Sequence, residues 1–201
     1  MTSEKTYKIN EWFYSLQGEG VRAGTANIFL RFSGCNLQCS KEIEGFDCDT
    51  EFTSGERWTS KQIIENLRKL SSDCGWVILT GGEPTLQVDD ALIDDLKAAG
   101  FKLAIETNGL RPVSPKIDWI CVSPKTAEHT LKQPTAHEVK YVRSHGMGIP
   151  QPQIVAEHYL LSPAFEGSSL PPENLEWCLG LVKAHPQWRL SLQSHKFLGI
   201  R

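Results

Sequence analysis

The 201-residue chain has no strong excess of charge and no long apolar run, and each absence excludes a class of function. The formal net charge is −3, which gives no global electrostatic case for binding nucleic acid or an anionic membrane surface. No apolar run approaches the roughly 20 residues that span a bilayer, so no membrane partner is expected. There is also no internal repeat and no low-complexity segment. The length predicts one domain, residues 1–201.

Signs of secretion are missing as well. The first residues, Met1–Thr6, lack the apolar stretch of a signal peptide. The six cysteines are spaced too unevenly to suggest the disulfide framework of a secreted domain. Both absences favour a cytoplasmic location, where thiols stay reduced.

Cysteine is concentrated in one place, because Cys35, Cys39 and Cys48 lie within fourteen residues. Thiolates are soft ligands for iron, zinc or copper, and an iron–sulfur cube held by three of them keeps one iron open for a small molecule. Two other interpretations stay open at this point. The three could be ordinary core cysteines, or they could be part of a zinc site, although zinc normally takes four ligands and the first histidine is His129.

The other three cysteines have a simpler interpretation. Cys74, Cys121 and Cys178 each sit in or beside an apolar segment. Cysteine is often buried as a small apolar residue. We therefore predict that these three pack in the core.

The first half of the chain alternates apolar segments with helical patterns. Strands are predicted at 27–32, 76–80 and 101–106, helices at 59–70 and 89–99, and a loop at 51–58. Thr59 and Gln62 have the spacing of a capping box at the start of the first helix. This rhythm predicts parallel βα units.

The second half is less regular and rich in proline. Strands are predicted at 119–122, 138–142 and 159–161, a helix at 173–184 and a closing strand at 189–192. The total is six strands before the last helix and three helices. A full eight-stranded barrel typically needs about 250 residues. The pattern therefore predicts an α/β fold with a partial, open barrel of the (β6/α3) type.

Polar or glycine-rich segments follow the first three predicted strands. The cysteine loop follows the first strand, Gly81–Pro84 follows the second and Glu106–Gly109 follows the third. In α/β barrels this end of the strands carries the active site. Paired glycines let backbone amides approach a ligand, although a plain turn would have the same composition.

Two further features of the first 31 residues have two interpretations each. Arg31 is a charge within an apolar strand, so it either pairs with a protein carboxylate or faces a bound anion. The segment Leu16–Gly20 places glycines on both sides of Glu19. It is either a tight loop that approaches a ligand or an ordinary surface turn.

The ordered set of these motifs resembles the radical S-adenosylmethionine (SAM) superfamily. The further segments Leu16–Gly20, Cys48–Thr50, Ser123–Lys125 and Ser194–Gly199 resemble the 7-carboxy-7-deazaguanine synthase family within it. Any one motif is weak, but the resemblance runs nearly end to end and the ordered set is specific.

The resemblance implies two cofactors and a metal ion. It implies a [4Fe-4S] cluster on Cys35, Cys39 and Cys48, whose open iron binds the amino and carboxylate groups of SAM, and Mg²⁺ with Thr50 as a ligand. Reduction then cleaves a C–S bond and gives a 5′-deoxyadenosyl radical. The implied SAM contacts are Asp47, Cys48, Asp49, Gly82, Ser123, Pro124, Lys125 and Ser162.

The resemblance also implies the substrate and the partners. The family converts 6-carboxy-5,6,7,8-tetrahydropterin into 7-carboxy-7-deazaguanine with loss of ammonia, in 7-deazapurine and queuosine biosynthesis, and regenerates SAM. The implied pterin contacts are Leu16, Gln17, Gly18, Arg31, Thr80, Glu106 and His195. The implied partners are a second copy of the chain, as a homodimer, and an electron donor such as a flavodoxin.

Some positions depart from the family pattern. The second gap between cysteines, Ser40–Asp47, has eight residues where the superfamily usually has two. Asp47 stands where an aromatic residue usually precedes the third cysteine, and Ser162 stands where a glutamine is expected. Two alternatives compete with the synthase: a radical SAM activase that makes a glycyl radical on a partner protein, and a non-enzymatic zinc or redox module.

Overall fold

The computed structural model describes residues 4–40, 48 and 50–201. Its strands are β1 (Thr6–Leu16), β2 (Ala26–Phe32), β3 (Glu56–Thr59), β4 (Trp76–Gly81), β5 (Lys102–Thr107), β6 (Trp119–Val122), β7 (Thr135–Arg143), β8 (Val155–Pro163) and β9 (Trp188–Leu190). Its α-helices are α1 (Ser60–Leu70), α2 (Asp90–Ala98), α3 (Pro172–Ala184) and α4 (Ser194–Leu198). Short 3₁₀ turns cover Pro84–Leu86 and Glu128–Thr130.

The described strands form one open sheet in the order β3-β1-β2-β4-β5-β6-β7-β8-β9. From β2 to β9 every neighbouring pair is parallel. At the other edge β1 runs antiparallel to both β2 and β3. All the parallel strands therefore end at one rim, where polar segments were predicted to meet.

The local signals for helix α1 are confirmed in detail. The Thr59 side chain accepts a hydrogen bond from Gln62 N, and the Gln62 side chain accepts one from Thr59 N, which completes the capping box. Ile63 and Leu67 on the inner face are fully buried. The predicted helices 89–99 and 173–184 also form, within one residue at each end.

Three strands depart from the prediction. The loop predicted at 51–58 is wrong at its end, because Glu56–Thr59 forms β3 and pairs with Thr6–Ile9. This strand is short and mostly exposed, so backbone pairing defines it and no apolar pattern marks it. The eleven-residue strand β1 was also not predicted. The closing strand, predicted at 189–192, begins one residue earlier and ends two residues earlier, at Trp188–Leu190.

Successive residues of each strand point to opposite faces of the sheet. On the helix-covered face of β2, Ile28, Leu30 and Phe32 are fully buried and join the main core. On the other face, Phe29 stacks on Phe13 of β1 with ring centroids 4.9 Å apart. That concave face holds a small apolar cluster of Phe13, Phe29, Ile78 and Ala104.

Within the residues that the structure describes, no helix is both long and apolar enough to cross a membrane.

Candidate active site

A cleft of about 990 Å³ opens where the parallel strands end. Its walls come from the loop between β1 and β2, the ends of β2 and β4–β8, the cysteine loop and the C-terminal segment. Of the residues expected to bind ligands, the cleft is lined by Leu16, Gln17, Gly18, Arg31, Cys35, Cys39, Cys48, Thr50, Thr80, Gly82, Glu106, Ser123, Lys125, Ser162 and His195. The structure thus gathers residues from both halves of the chain at one rim.

Three of the expected ligand contacts are not in that lining. Pro124 is buried within the loop after β6. Asp47 and Asp49 lie outside the described residues. Their roles remain predictions.

One transverse line of polar side chains crosses the concave face. We call it the polar row, and it consists of Glu11, Arg31, Thr80, Glu106, Cys121 and Glu138. The strand register pairs Glu11 with Arg31 and Arg31 with Thr80. It also pairs Glu106 with Cys121 and Cys121 with Glu138. A hydrogen bond of 3.1 Å from Thr80 Oγ1 to Glu106 Oε2 joins the two halves of the row.

Glu106 is the central carboxylate of the polar row. Gln17 Nε2 donates to Glu106 Oε1 at 2.8 Å, opposite the bond from Thr80. Burial raises the pKa of Glu106, while the hydrogen bonds from Gln17 and Thr80 act in the other direction. The site therefore holds an acceptor whose two oxygens are already oriented.

Arg31 pairs with a protein carboxylate, the first of the two interpretations of a charge within an apolar strand, and contact with a bound anion stays a prediction. Its Nε lies 3.5 Å from Glu11 Oε1, and the guanidinium also lines the cleft. Among the described residues, this buried Nε finds no acceptor for a hydrogen bond. Glu11 is shared, because the guanidinium of Arg201 contacts its other oxygen. Arg201 is held in turn by a 2.5 Å hydrogen bond from Ser15 Oγ to its carbonyl oxygen.

The glycines after β4 bring that turn against the cysteine loop. A Cβ on Gly82 would lie 2.0 Å from the carbonyl oxygen of Gly34, so only glycine fits there. Glu83 N donates to the same Gly34 oxygen at 2.9 Å. Gly81 has a φ of +114°, a conformation that other residues rarely adopt. These positions require glycine because the turn packs against the backbone of neighbouring segments, and the predicted approach to a ligand stays a prediction.

Glu83 joins this turn to the loop after β5. It is only 1% exposed, and its carboxylate accepts hydrogen bonds from Thr107 Oγ1 at 2.7 Å and Asn108 N at 2.8 Å. Asn108 Nδ2 donates to Asn36 Oδ1 in the cysteine loop at 2.8 Å. The Gly81–Pro84 motif could be identified from sequence, but this role of Glu83 could not.

Three thiols fit the donor set of an iron–sulfur cluster. Cys35, Cys39 and Cys48 form no disulfide, are at least partly exposed, and line the same cleft. Burial raises the pKa of Cys35, and its Sγ accepts a hydrogen bond from Leu37 N at 3.4 Å. Among the described residues, no three Cys, His, Asp or Glu side chains are gathered closely enough to hold a metal ion. The thiols therefore border the cleft without forming a closed ligand set.

The remaining cysteines are buried, as predicted. Cys74, Cys121 and Cys178 are at most 8% exposed. Cys121 also borders the cleft, where burial raises its pKa well above the usual value. The contrast with the exposed thiols argues against the core interpretation for Cys35, Cys39 and Cys48.

Sequence reasoning missed a buried ion pair beside the cleft, between Lys140 of β7 and Glu19 of the β1–β2 loop. Burial lowers the pKa of Lys140 to about 8, so the ammonium is still charged at neutral pH. The only sequence signal was that Glu138 and Lys140 occupy alternate positions of one strand, which puts two charges on the same face.

Comparisons with known proteins point to one family. A family model described as "4Fe-4S single cluster domain" matches residues 16–111. The 7-carboxy-7-deazaguanine synthase of Bacteroides thetaiotaomicron is 46% identical over 96% of this chain and 98% of its own length. The synthase of Bradyrhizobium diazoefficiens is 41% identical over 98% of this chain and 100% of its own length.

A solved structure confirms the predicted fold class. The match is titled "Crystal structure of QueE from Escherichia coli", with a TM-score of 0.72. It covers 94% of this chain and 95% of that one at 24% sequence identity. The open α/β sheet of this chain therefore has the same architecture as that protein.

Proposed function

The chain belongs to the 7-carboxy-7-deazaguanine synthase family, and on that premise we propose that it converts 6-carboxy-5,6,7,8-tetrahydropterin into 7-carboxy-7-deazaguanine with loss of ammonia. This reaction serves 7-deazapurine and queuosine biosynthesis. The observation that carries the proposal is the cleft, because it brings the three thiols, the Gly81–Pro84 turn and the polar row to one rim. A glycyl-radical activase or a zinc module would not need the polar row.

The thiols and the glycine turn form the cofactor side of the cleft. Cys35, Cys39 and Cys48 would hold the [4Fe-4S] cluster, which suits three-thiolate ligation. Gly82 would present its backbone to SAM. The other proposed SAM contacts in the lining are Ser123, Lys125 and Ser162. When bound, the cluster and SAM supply the radical chemistry that removes the hydrogen atom at C6 of the pterin.

The polar row forms the substrate side. Glu106 accepts hydrogen bonds from pterin N–H groups, because a carboxylate is an acceptor with two oxygens. Arg31 presents a planar guanidinium whose fork suits a planar polar ligand. Gln17 and His195 complete the walls around the ring. The chain contributes binding, orientation and exclusion of water from a reactive intermediate.

Thr50 lines the cleft next to Cys48 and is our proposed protein ligand for Mg²⁺. Mg²⁺ keeps several waters and takes few protein oxygens, so one hydroxyl shared with a substrate carboxylate is a suitable site. Changing Thr50 to Ala is expected to weaken the dependence of turnover on Mg²⁺, measured by titration. An unchanged Mg²⁺ response would remove Thr50 from the metal site.

We further propose the cellular setting of the chain. The described cysteines form no disulfide, which suits the reducing cytoplasm. Residues 1–201 act as one radical SAM domain, supported by the single sheet that runs through the described chain. The chain pairs with a second copy and takes electrons from a donor such as a flavodoxin. Light scattering after size-exclusion chromatography tests the homodimer.

Anaerobic turnover tests the proposed function. The protein is reconstituted with iron and sulfide, then mixed with SAM, Mg²⁺, a reductant and 6-carboxytetrahydropterin. We expect 7-carboxy-7-deazaguanine by mass, without consumption of SAM in proportion. Cleavage of SAM to 5′-deoxyadenosine without this product would overturn the assigned substrate.

A further inference from the structure

The ion pair between Lys140 and Glu19 joins two parts of the chain that are far apart in sequence. Lys140 lies on β7, Glu19 lies in the loop between β1 and β2, and 121 positions separate them. The side chains are only 9% and 15% exposed, and the ammonium contacts Glu19 Oε2. Both residues line the cleft.

The loop that carries Glu19 is held at several points around this pair. Gln193 Nε2 donates to Glu19 Oε1 at 2.7 Å, so both carboxylate oxygens are engaged. Val21 N donates to Glu138 Oε2 at 2.7 Å, and Gly20 N donates to Ser191 Oγ at 2.9 Å. The β1–β2 loop, β7 and the C-terminal segment therefore meet at one charged centre.

One chain of hydrogen bonds leads from this centre to the central carboxylate of the polar row. Glu19 N donates to Gln17 Oε1 at 3.1 Å, which fixes the orientation of the Gln17 amide. Gln17 Nε2 then donates to Glu106 Oε1 at 2.8 Å. A shift of Glu19 would move the donor that orients Gln17, and through it the acceptor offered to the substrate.

A second connection leads to His195. Ser194 N donates to the carbonyl oxygen of Gly18 at 2.9 Å. The imidazole lies directly against Gly18, since a Cβ there would be 2.1 Å from His195 Nδ1. The position of the β1–β2 loop therefore also sets the position of His195 beside the cleft.

A buried ion pair holds a loop only at a cost in desolvation free energy. Burying two charges carries a large desolvation cost, and apolar residues of similar volume often stabilise a fold equally well. What an ion pair adds is direction, because charges that leave water require partners at defined positions. This difference favours a role in geometry over a role in stability alone.

We propose that Lys140 and Glu19 form a positioning pair that orients Gln17, Glu106 and His195 toward the pterin. The inference rests on the proposed function, because it assigns the same cleft to the same substrate. Neither residue transfers a proton or an electron in this role; the pair fixes the two walls between which the ring is held.

The test measures the affinity of the reconstituted holoenzyme for 6-carboxypterin, the oxidised form of the substrate, by anaerobic equilibrium dialysis. Lys140→Met is expected to weaken binding at least tenfold and to raise KM more than it lowers kcat. The matched control is Lys183→Met, since Lys183 is an exposed lysine on α3 outside the cleft. The control should bind as the wild type does, and unfolding curves check that each variant is folded.

A double-mutant cycle separates positioning from general stability. Glu19→Gln keeps the shape of the side chain but removes its charge. In the double variant with Lys140→Met, the losses of affinity should not add, because each change breaks the same pair. Additive losses, or wild-type affinity in folded Lys140→Met, would overturn the inference.

If Lys140→Met does not fold, Glu19→Gln alone decides. Weaker pterin binding supports the positioning pair and unchanged binding overturns it. A wild-type enzyme that neither binds the pterin nor forms the deazaguanine would overturn the proposed function and this inference with it. A wild type that turns over beside a variant of equal affinity would overturn the inference only.

Discussion

The two faces of the sheet differ although the same strands build both. On the helix-covered face, Leu30, Leu79 and Leu103 are completely buried. On the concave face, Arg31 and Thr80 stand one residue further along β2 and β4, and Glu106 stands three residues after Leu103 on β5. Alternation along a strand thus lets one segment supply stability on one side and chemistry on the other. Changes on the two faces should therefore have separable effects.

The largest effect is expected at the rim of the concave face, where Cys48→Ala should abolish the bound cluster. Wild-type protein should hold about four irons and four sulfides per chain, and the variant should hold almost none, measured by iron and sulfide analysis. Cys178→Ala is the matched control, because Cys178 is fully buried on α3 and does not line the cleft. A full cluster in Cys48→Ala would remove this residue from the ligand set.

On the helix-covered face, Leu103→Ala should act on stability. Truncating a fully buried leucine costs about 2–5 kcal/mol, through lost burial and the cavity that remains. Denaturant unfolding measures this change. The exposed neighbour Lys102→Ala should stay within about 0.5 kcal/mol of the wild type. Equal costs at the two positions would contradict the packing described here.

A pH titration of pterin binding tests the role of Glu106 on the concave face. Burial raises the pKa of Glu106, with Glu138 acting in the same direction and Gln17, Thr80 and Arg31 in the other. Glu106 therefore takes up its proton at a higher pH than an ordinary glutamate. Affinity for 6-carboxypterin should fall as the pH falls through that value, because the protonated carboxyl is a poorer acceptor.

Glu106→Gln provides the comparison for this titration. The variant should bind the pterin weakly at every pH and should no longer show the fall in affinity at low pH. If the loss of pterin affinity at low pH persists unchanged in Glu106→Gln, a group other than Glu106 causes it.

The smallest effect is expected at the edge of the polar row. Glu11→Gln removes the carboxylate partner of Arg31, but this pair is partly exposed and its atoms are 3.5 Å apart. Such pairs are worth roughly 1 kcal/mol or less, so KM should rise several-fold with little change in kcat. Glu4→Gln is an exposed control. A loss as large as that of Glu106→Gln would show that Arg31 depends on Glu11 far more than the geometry implies.

Local patterns explain what could be predicted from the sequence. The capping box of Thr59 and Gln62 marked α1, and the apolar runs that end in polar motifs marked β2, β4 and β5. Strand β1 was missed because Trp12–Tyr14 does not alternate cleanly between apolar and polar residues. Strand β3 was missed because it is four residues long and mostly exposed.

The residues of the site also divide into those that a local sequence pattern marks and those that it does not. Arg31 stood out because it interrupts an apolar strand, and the glycine turn stood out by composition. The pair of Glu19 and Lys140 had no such signal, because only the crossovers from β1 to β7 bring the two together. Interactions that depend on topology across 121 positions leave no local pattern to find.

The most direct test of the division between a binding face and a stabilising face compares the two faces in one experiment. Pterin affinity and the free energy of unfolding are measured for Glu106→Gln and Leu103→Ala in the same buffer. Glu106→Gln should lose affinity while its stability is equal to or above that of the wild type, since a buried carboxylate with a raised pKa costs stability when it is ionised. Leu103→Ala should lose stability and, while folded, keep its affinity. A stable Glu106→Gln variant with wild-type affinity would contradict the assignment of the concave face to the substrate.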